Sequence, residues 1–213
     1  MTTDTTADSG VATPFDLNHA EFVKEAHTLD QLPLDEGAEI AFAGRSNAGK
    51  SSAINALCNR RKLARTSRTP GRTQQFVVYE FGPGQRFIDL PGFGFAKVSK
   101  SKRSHWSVEI PRYLETRRSL IGLVLVADAR HPLKDQERDI VRWCGEAGLP
   151  ALLLLNKSDK LKQRESAQAL KAAFGLQPDS SLLDVQLFSA TERFGVDTVT
   201  RRLAGWFAGE RVE

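Results

Sequence analysis

The sequence predicts an α/β fold: a mostly parallel, doubly wound sheet of six strands, with helices on both faces and one antiparallel strand. Three observations carry this. From Glu39 onward, short apolar runs alternate with helical patterns, the order that builds a parallel sheet through crossover helices. Two of those runs, Leu123–Val126 and Leu152–Leu155, are apolar without alternation, as strands buried on both faces are. Gly82-Pro83-Gly84 separates two apolar runs by a tight turn, which makes one hairpin and so one antiparallel strand.

The elements follow in order. Residues 1–14 are rich in Thr, Asp, Ser and Ala and are expected as a disordered tail, with residues 15–213 as a single domain. Strand Glu39–Ala43 leads through a glycine-containing loop into helix Lys50–Leu57. Gln75–Phe81 and Gln85–Asp89 form the hairpin. Helix Ser104–Arg117 contains Pro111, which is expected to kink or split it. Strand Leu120–Asp128 is followed by helix Asp135–Ala147, with Asp135 at its first turn and Gly148-Leu149-Pro150 as its stop. Strand Ala151–Leu155, helix Lys162–Phe174, strand Asp184–Ser189 and helix Gly195–Ala208 complete the pattern.

Apolar residues make up 40% of the 213 and charged residues 26%, which excludes collagen-like, mucin-like and wholly disordered chains. Cys58 and Cys144 stand far apart with no CxxC, so neither a disulfide framework nor a cysteine zinc site is expected. Two reduced thiols fit a cytoplasmic location. His19, His27, His105 and His131 show no metal-ligand spacing. The longest uncharged apolar stretch, Ser119–Ala127, is far short of the roughly 20 residues of a membrane helix. No signal peptide is visible at the N-terminus.

The net charge of +4 hides an asymmetry. Between Cys58 and Arg118 there are 14 Lys/Arg and 4 Asp/Glu, a net of +10, while the rest of the chain is net −6. A basic block on an otherwise acidic chain points to a polyanionic partner.

Gly44-Arg45-Ser46-Asn47-Ala48-Gly49-Lys50-Ser51 matches G-x-x-x-x-G-K-[ST] between a strand and a helix, the context that motif requires. Glycines let successive N–H groups point at phosphate oxygens, and the helix N-terminus adds positive potential. Lys50 is expected at the β- and γ-phosphates and Ser51 on Mg²⁺. Asp89-Leu90-Pro91-Gly92 ends the second strand after this loop, where Asp89 can hold Mg²⁺ through water and the Gly92 N–H can meet a γ-phosphate.

Asn156-Lys157-Ser158-Asp159 follows strand Ala151–Leu155. A carboxylate at Asp159 can accept from the N1–H and 2-amino group of guanine, donors that adenine lacks. Lys157 can lie along the base, and Asn156 can tie this loop to the phosphate loop. Phe188-Ser189-Ala190 closes the last strand, and its backbone N–H groups can contact the guanine O6.

With these residues in view, a family resemblance becomes specific. Residues 44–52 resemble the first motif of the EngB (YihA/YsxC) family of bacterial GTP-binding proteins, in the TrmE-Era-EngA-EngB-septin-like superfamily. Ala64-Arg65-Thr66-Ser67 with Pro70-Gly71-Arg72-Thr73-Gln74 resembles its switch I, and Asp89–Val98 its switch II. Asp128-Ala129-Arg130-His131-Pro132-Leu133 is similar to a further family stretch. The resemblance implies a Ras-like P-loop GTPase fold that binds GTP, GDP and Mg²⁺ and acts in assembly of the large ribosomal subunit, with a link to normal division and septation. It implies that Thr73 joins Ser51 and Asp89 on Mg²⁺, and that nucleotide contacts extend over Gly71, Arg72, Thr73, Gln74 and Gln75.

The place after D-x-x-G, where Ras-like proteins keep a water-orienting glutamine, holds Phe93. Slow intrinsic hydrolysis is therefore expected, with Lys50, Thr73 and Asn47 as the catalytic candidates and Asn47 as a possible K⁺ ligand beside the phosphates. Arg60, Arg61, Lys62, Arg65, Arg68 and Arg72, with Lys97, Lys100, Lys102 and Arg103, are expected to flank the nucleotide site as one basic face for ribosomal RNA. Aromatic interleaving within these runs is poor, so base stacking is not indicated. A monomer is expected, with no DNA partner. Two other readings stay open: an adenine-nucleotide kinase or ATPase, and a non-catalytic division-site protein using GTP as a structural ligand.

Overall fold

A chain that alternates apolar strands with amphipathic helices buries both when the helices cover the two faces of one sheet. The computed structural model describes residues 15–65, 75–93, 100–131, 133–176 and 182–210, with the backbone alone over 100–107. Its strands are β1 (Glu21–Ala26), β2 (Ala38–Gly44), β3 (Phe76–Gly82), β4 (Gln85–Asp89), β5 (Leu120–Asp128), β6 (Ala151–Asn156) and β7 (Leu183–Leu187). Its helices are α1 (Lys50–Leu57), α2 (Lys100–Thr116), α3 (Asp135–Ala147), α4 (Gln163–Phe174) and α5 (Val196–Phe207).

The strands form one sheet in the order β1-β3-β4-β2-β5-β6-β7. Only β3 runs against its neighbours, so the expected single antiparallel strand is present. The sheet has seven strands among the described residues rather than six. The added strand, β1, lies at the edge and is exposed at five of its six residues. Its sequence, Glu-Phe-Val-Lys-Glu-Ala, has no long apolar run because only Ala26, at its end, is covered.

Successive side chains on a strand point to opposite faces. On one face Ile40, Phe42, Val124, Val126, Leu152 and Leu154 pack with Ile54 and Leu57 of α1 and with Val199, Leu203 and Trp206 of α5. On the other, Ala41, Ala43, Leu123, Leu125, Leu153 and Leu155 pack with residues of α2, α3 and α4. Cys58 and Cys144 are free thiols inside these layers, each pushed up to about 12 by burial.

Helix α2 does not split at Pro111; it runs unbroken from Lys100 to Thr116. The proline removes one backbone bond, but its neighbours Ile110 and Tyr113 are fully buried and hold both halves against the sheet. At the base of that helix lies a buried ionic cluster. Arg117 grips Glu39 with two bonds of 2.9 and 2.7 Å, and Arg86 Nε stands 3.0 Å from the same carboxylate. This cluster sits where β2 begins. The strand ends carrying Gly44, Asp89, Asp128 and Asn156 all lie at the opposite edge, where open α/β sheets bind ligands. No helix among the described residues is long and apolar enough to cross a membrane.

Candidate functional site

The phosphate loop begins on the last residue of β2 and opens α1. Gly49 precedes the helix at φ +100°, and a Cβ there would lie 2.2 Å from Asn156 Nδ2, so only glycine fits. Asn47 is also left-handed, at φ 67°, a conformation Asn tolerates. The N–H groups of Lys50 and Ser51 lie in the first turn of α1, where helices have no internal acceptors. They face the loop with the positive end of the helix.

The Asp89–Gly92 segment is tied to this loop by its backbone. Ser46 N–H donates to the Phe93 carbonyl at 3.0 Å, and Phe93 N–H to that of Gly44 at 3.3 Å. A Cβ on Gly92 would lie 2.8 Å from Ser46 Oγ, so glycine permits this close approach. The Phe93 ring is buried in the core.

Asp89 and Lys50 are both buried, and the Lys50 ammonium contacts the Asp89 carboxylate. Burial raises the Asp89 pKa, against the pull of Lys50. The Ser51 hydroxyl and the Asp89 carboxylate are hard oxygen donors of the class Mg²⁺ takes. Among the described residues no group of three or more His, Cys, Asp or Glu could hold a metal alone. Gly71, Arg72, Thr73 and Gln74 lie outside the described residues, as do Arg68, Lys97, Pro132 and residues 1–14. Of Lys100, Lys102, Arg103 and His105 only the backbone is described. Gln75 opens onto β1, its Nε2 2.5 Å from His27 Nε2.

The Asn156–Asp159 loop is fastened to the phosphate loop twice. Asn156 Nδ2 donates to the Ala48 carbonyl at 2.9 Å, and Lys157 Nζ to that of Asn47 at 2.6 Å. Lys157 is held at φ 65° and also bonds Asp128 Oδ2 at 2.8 Å. Burial works against the Asp128 carboxylate, but bonds from Arg130 and Lys157 outweigh it and hold its pKa well below the ordinary range. This role of Asp128 was not read from the sequence. Its position at the end of β5, beside the end of β6, is the signal that could have found it.

Asp159 accepts from Ser189 Oγ at 2.7 Å and pairs with Lys160 at 2.9 Å. Both lower its pKa, the Ser189 bond most, so it is kept as an acceptor. Phe188 is fully buried and its carbonyl accepts from Ser158 N–H and Oγ, so it braces the loop from behind. Ser189 N–H is donated to the Phe194 carbonyl at 3.0 Å, whereas Ala190 N–H makes only a long 3.3 Å bond to Asn156 Oδ1. Of the two, Ala190 is the donor left for a base oxygen.

The basic residues do not all flank this site. Arg60, Arg61 and Lys62 follow the C-terminus of α1, and eight residues of helix put them about 12 Å along from the phosphate loop. They line a groove with Glu21 and Phe22 of β1.

Residues 39–157 match the family model described as 50S ribosome-binding GTPase. A probable GTP-binding protein EngB of Stenotrophomonas maltophilia is 47% identical over 201 residues, covering 91% of this chain and 98% of its own. One from Idiomarina loihiensis is 46% identical, covering 92% and 95%. Among solved structures, a probable GTP-binding protein EngB aligns with a TM-score of 0.66 at 23% identity, over 81% of this chain and all of that one. Era in complex with MgGDPNP and 16S ribosomal RNA aligns with a TM-score of 0.62 at 20% identity, over 80% of this chain and 57% of that one. These two structural likenesses speak to the fold alone.

Proposed function

The chain belongs to the EngB family of GTP-binding proteins and is a GTPase, and we propose that its GTP cycle acts as a switch in assembly of the large ribosomal subunit. The ribosomal part rests on the family's description as a 50S ribosome-binding GTPase; the observation that carries the GTP part is the pair of bonds from Asn156 and Lys157 to the phosphate loop, beside an Asp159 held as an acceptor. That geometry supports guanine over adenine, because a carboxylate receives the N1–H and 2-amino donors of guanine.

In this reading Gly44–Ser51 cradle the phosphates, Lys50 neutralises their charge and the Gly92 N–H meets the γ-phosphate. Asn156, Lys157, Ser158, Asp159 and Ala190 hold the base, and Gly71–Gln75 are the further residues assigned to nucleotide contact. Ser51, Thr73 and Asp89 are the residues assigned to Mg²⁺, which offsets phosphate charge when bound. Asn47 offers an uncharged oxygen of the class K⁺ accepts. Faster hydrolysis in K⁺ than in Na⁺, abolished in Asn47→Ala, supports that assignment; equal rates in both salts overturn it. Residues 15–213 act as one cytoplasmic G domain that normal division and septation require.

Binding to a polyanionic precursor follows from the +10 block within Cys58–Arg118. Co-sedimentation with large ribosomal subunits under GTP analogue, GDP and no nucleotide tests the switch. Binding that depends on the nucleotide supports it; equal sedimentation in all three rejects it.

A further inference from the structure

The fold brings together residues that the sequence keeps forty positions apart. Edge strand β1 presents Phe22 at 53% exposure, and the loop after α1 presents Arg60, Arg61, Lys62 and Leu63 to the same groove of about 530 Å³. Arg60 is steadied by a 3.4 Å bond from Nη1 to the Asn18 carbonyl. Among the described residues no ion pair ties Arg60, Arg61 or Lys62 to a carboxylate, so their charge is available to a ligand. In the strand register Glu21 and Phe22 face Glu80 and Tyr79, whereas Asp89 faces Val77. The groove therefore lies toward the end of the sheet remote from the nucleotide.

We infer that this groove binds an unpaired segment of RNA, with a base stacked on Phe22 and phosphates held by Arg60, Arg61 and Lys62. The inference deepens the large-subunit reading above and rests on it. Three cations against the single carboxylate of Glu21, with no ion pair to them among the described residues, call for a polyanion. An exposed ring beside them is what single-stranded nucleic acid uses and duplex backbone does not. An acidic peptide would satisfy the cations but leave Phe22 without a role. Glu21 adds a preference: its carboxylate only accepts, so it suits a base edge carrying an amino group and repels a phosphate.

The test is fluorescence anisotropy of the full chain with short labelled oligocytidylate and oligouridylate, across a salt series. Phe22→Ala is expected to weaken oligocytidylate binding roughly tenfold with the salt slope unchanged, and Phe22→Tyr to restore it. Changing Arg61 and Lys62 together to Gln is expected to lower the slope by about 1.4, at about 0.7 per phosphate contact on a single strand. Oligocytidylate is expected to bind more tightly than oligouridylate, and Glu21→Gln to narrow that difference. GTP affinity, measured on every variant, is expected to stay constant and reports folding.

Absence of RNA binding by the parent chain overturns the groove, as does binding that ignores Phe22. So does displacement by polyglutamate as effective as by unlabelled RNA. Co-sedimentation separates the two readings. A parent chain that sediments with large subunits while Phe22→Ala and the Arg61/Lys62 variant sediment equally well refutes the groove alone. A parent chain that binds oligocytidylate through Phe22 but never sediments with large subunits refutes the ribosomal reading alone and leaves the groove as a site for single-stranded RNA.

Discussion

Asp159 reads the base only if it stays an acceptor, and its bond from Ser189 and its pairing with Lys160 keep it so. Asp159→Asn places an amide donor there. Preference should move from guanosine toward xanthosine triphosphate, measured as the ratio of the two binding constants; full GTP affinity without any gain for the xanthine nucleotide contradicts the assignment. Asp128 acts one step back, as the anchor of Lys157. Its pKa is depressed, so its contribution to stability is present above the ordinary carboxylate value of about 3.9 and is lost as pH falls through the folded-state value. Asp128→Asn should therefore lower the melting temperature at neutral pH, and the gap from the parent should close on acidification below about pH 4. A gap that stays constant with pH would assign the loss to packing instead of charge. Asp89, Asn156 and Asp159 were legible because each stands in a motif. Asp128 was not, because its task exists only once β5 and β6 lie side by side.

At the scale of elements, the strands and helices with internal signals were read closely. α3 runs from Asp135 to Ala147 as expected, because Gly148 takes the left-handed cap at φ 67°. β4 and β5 match as well, bounded by polar ends. Edge strand β1 was not legible: exposed on both faces, it carries no periodic apolar pattern for a reader to find. Of the two outcomes expected at Pro111, the split does not occur, since local backbone preference is outweighed by the burial of Ile110 and Tyr113. What fixes the far end of α2 is the Glu39 cluster. Glu39→Gln leaves Arg86 and Arg117 without their buried counter-charge and should cost about 3–5 kcal/mol in urea unfolding. Its GTP affinity should be unchanged, because the cluster and the nucleotide loops occupy opposite edges of the sheet. A large loss of GTP affinity in the folded variant would show that the two edges are coupled.

The molecule as a whole is one sheet, with the nucleotide loops and the groove beside β1 toward opposite ends of its strands. Loops at the strand C-termini address the nucleotide, and the groove beside β1 faces elsewhere. The sequence indicated the basic block but not its division, because contiguity along the chain says nothing about which end of a helix a residue follows. Nucleotide bound at one edge should stabilise the whole sheet by mass action. At a free concentration a hundredfold above its dissociation constant, GTP with Mg²⁺ should raise the folding free energy by about 2.7 kcal/mol. Thermal melting should show this as a clear upward shift in the parent and little or none in Lys50→Ala. An equal shift in both would remove Lys50 from phosphate binding.

The bond from Asn156 to the Ala48 carbonyl spans 108 positions of the chain. During synthesis the phosphate loop emerges early, as does Asp89, yet the group that pins the loop arrives only with the sixth strand, and Ser189, which holds Asp159, later still. A nascent chain halted before Asn156 would carry the whole G-x-x-x-x-G-K-S signature without the brace that sets its shape. The proposed guanine recognition is thus a property of the nearly finished polypeptide, and a ligand present in the cell from the start can reward only chains that have been made as far as Ser189.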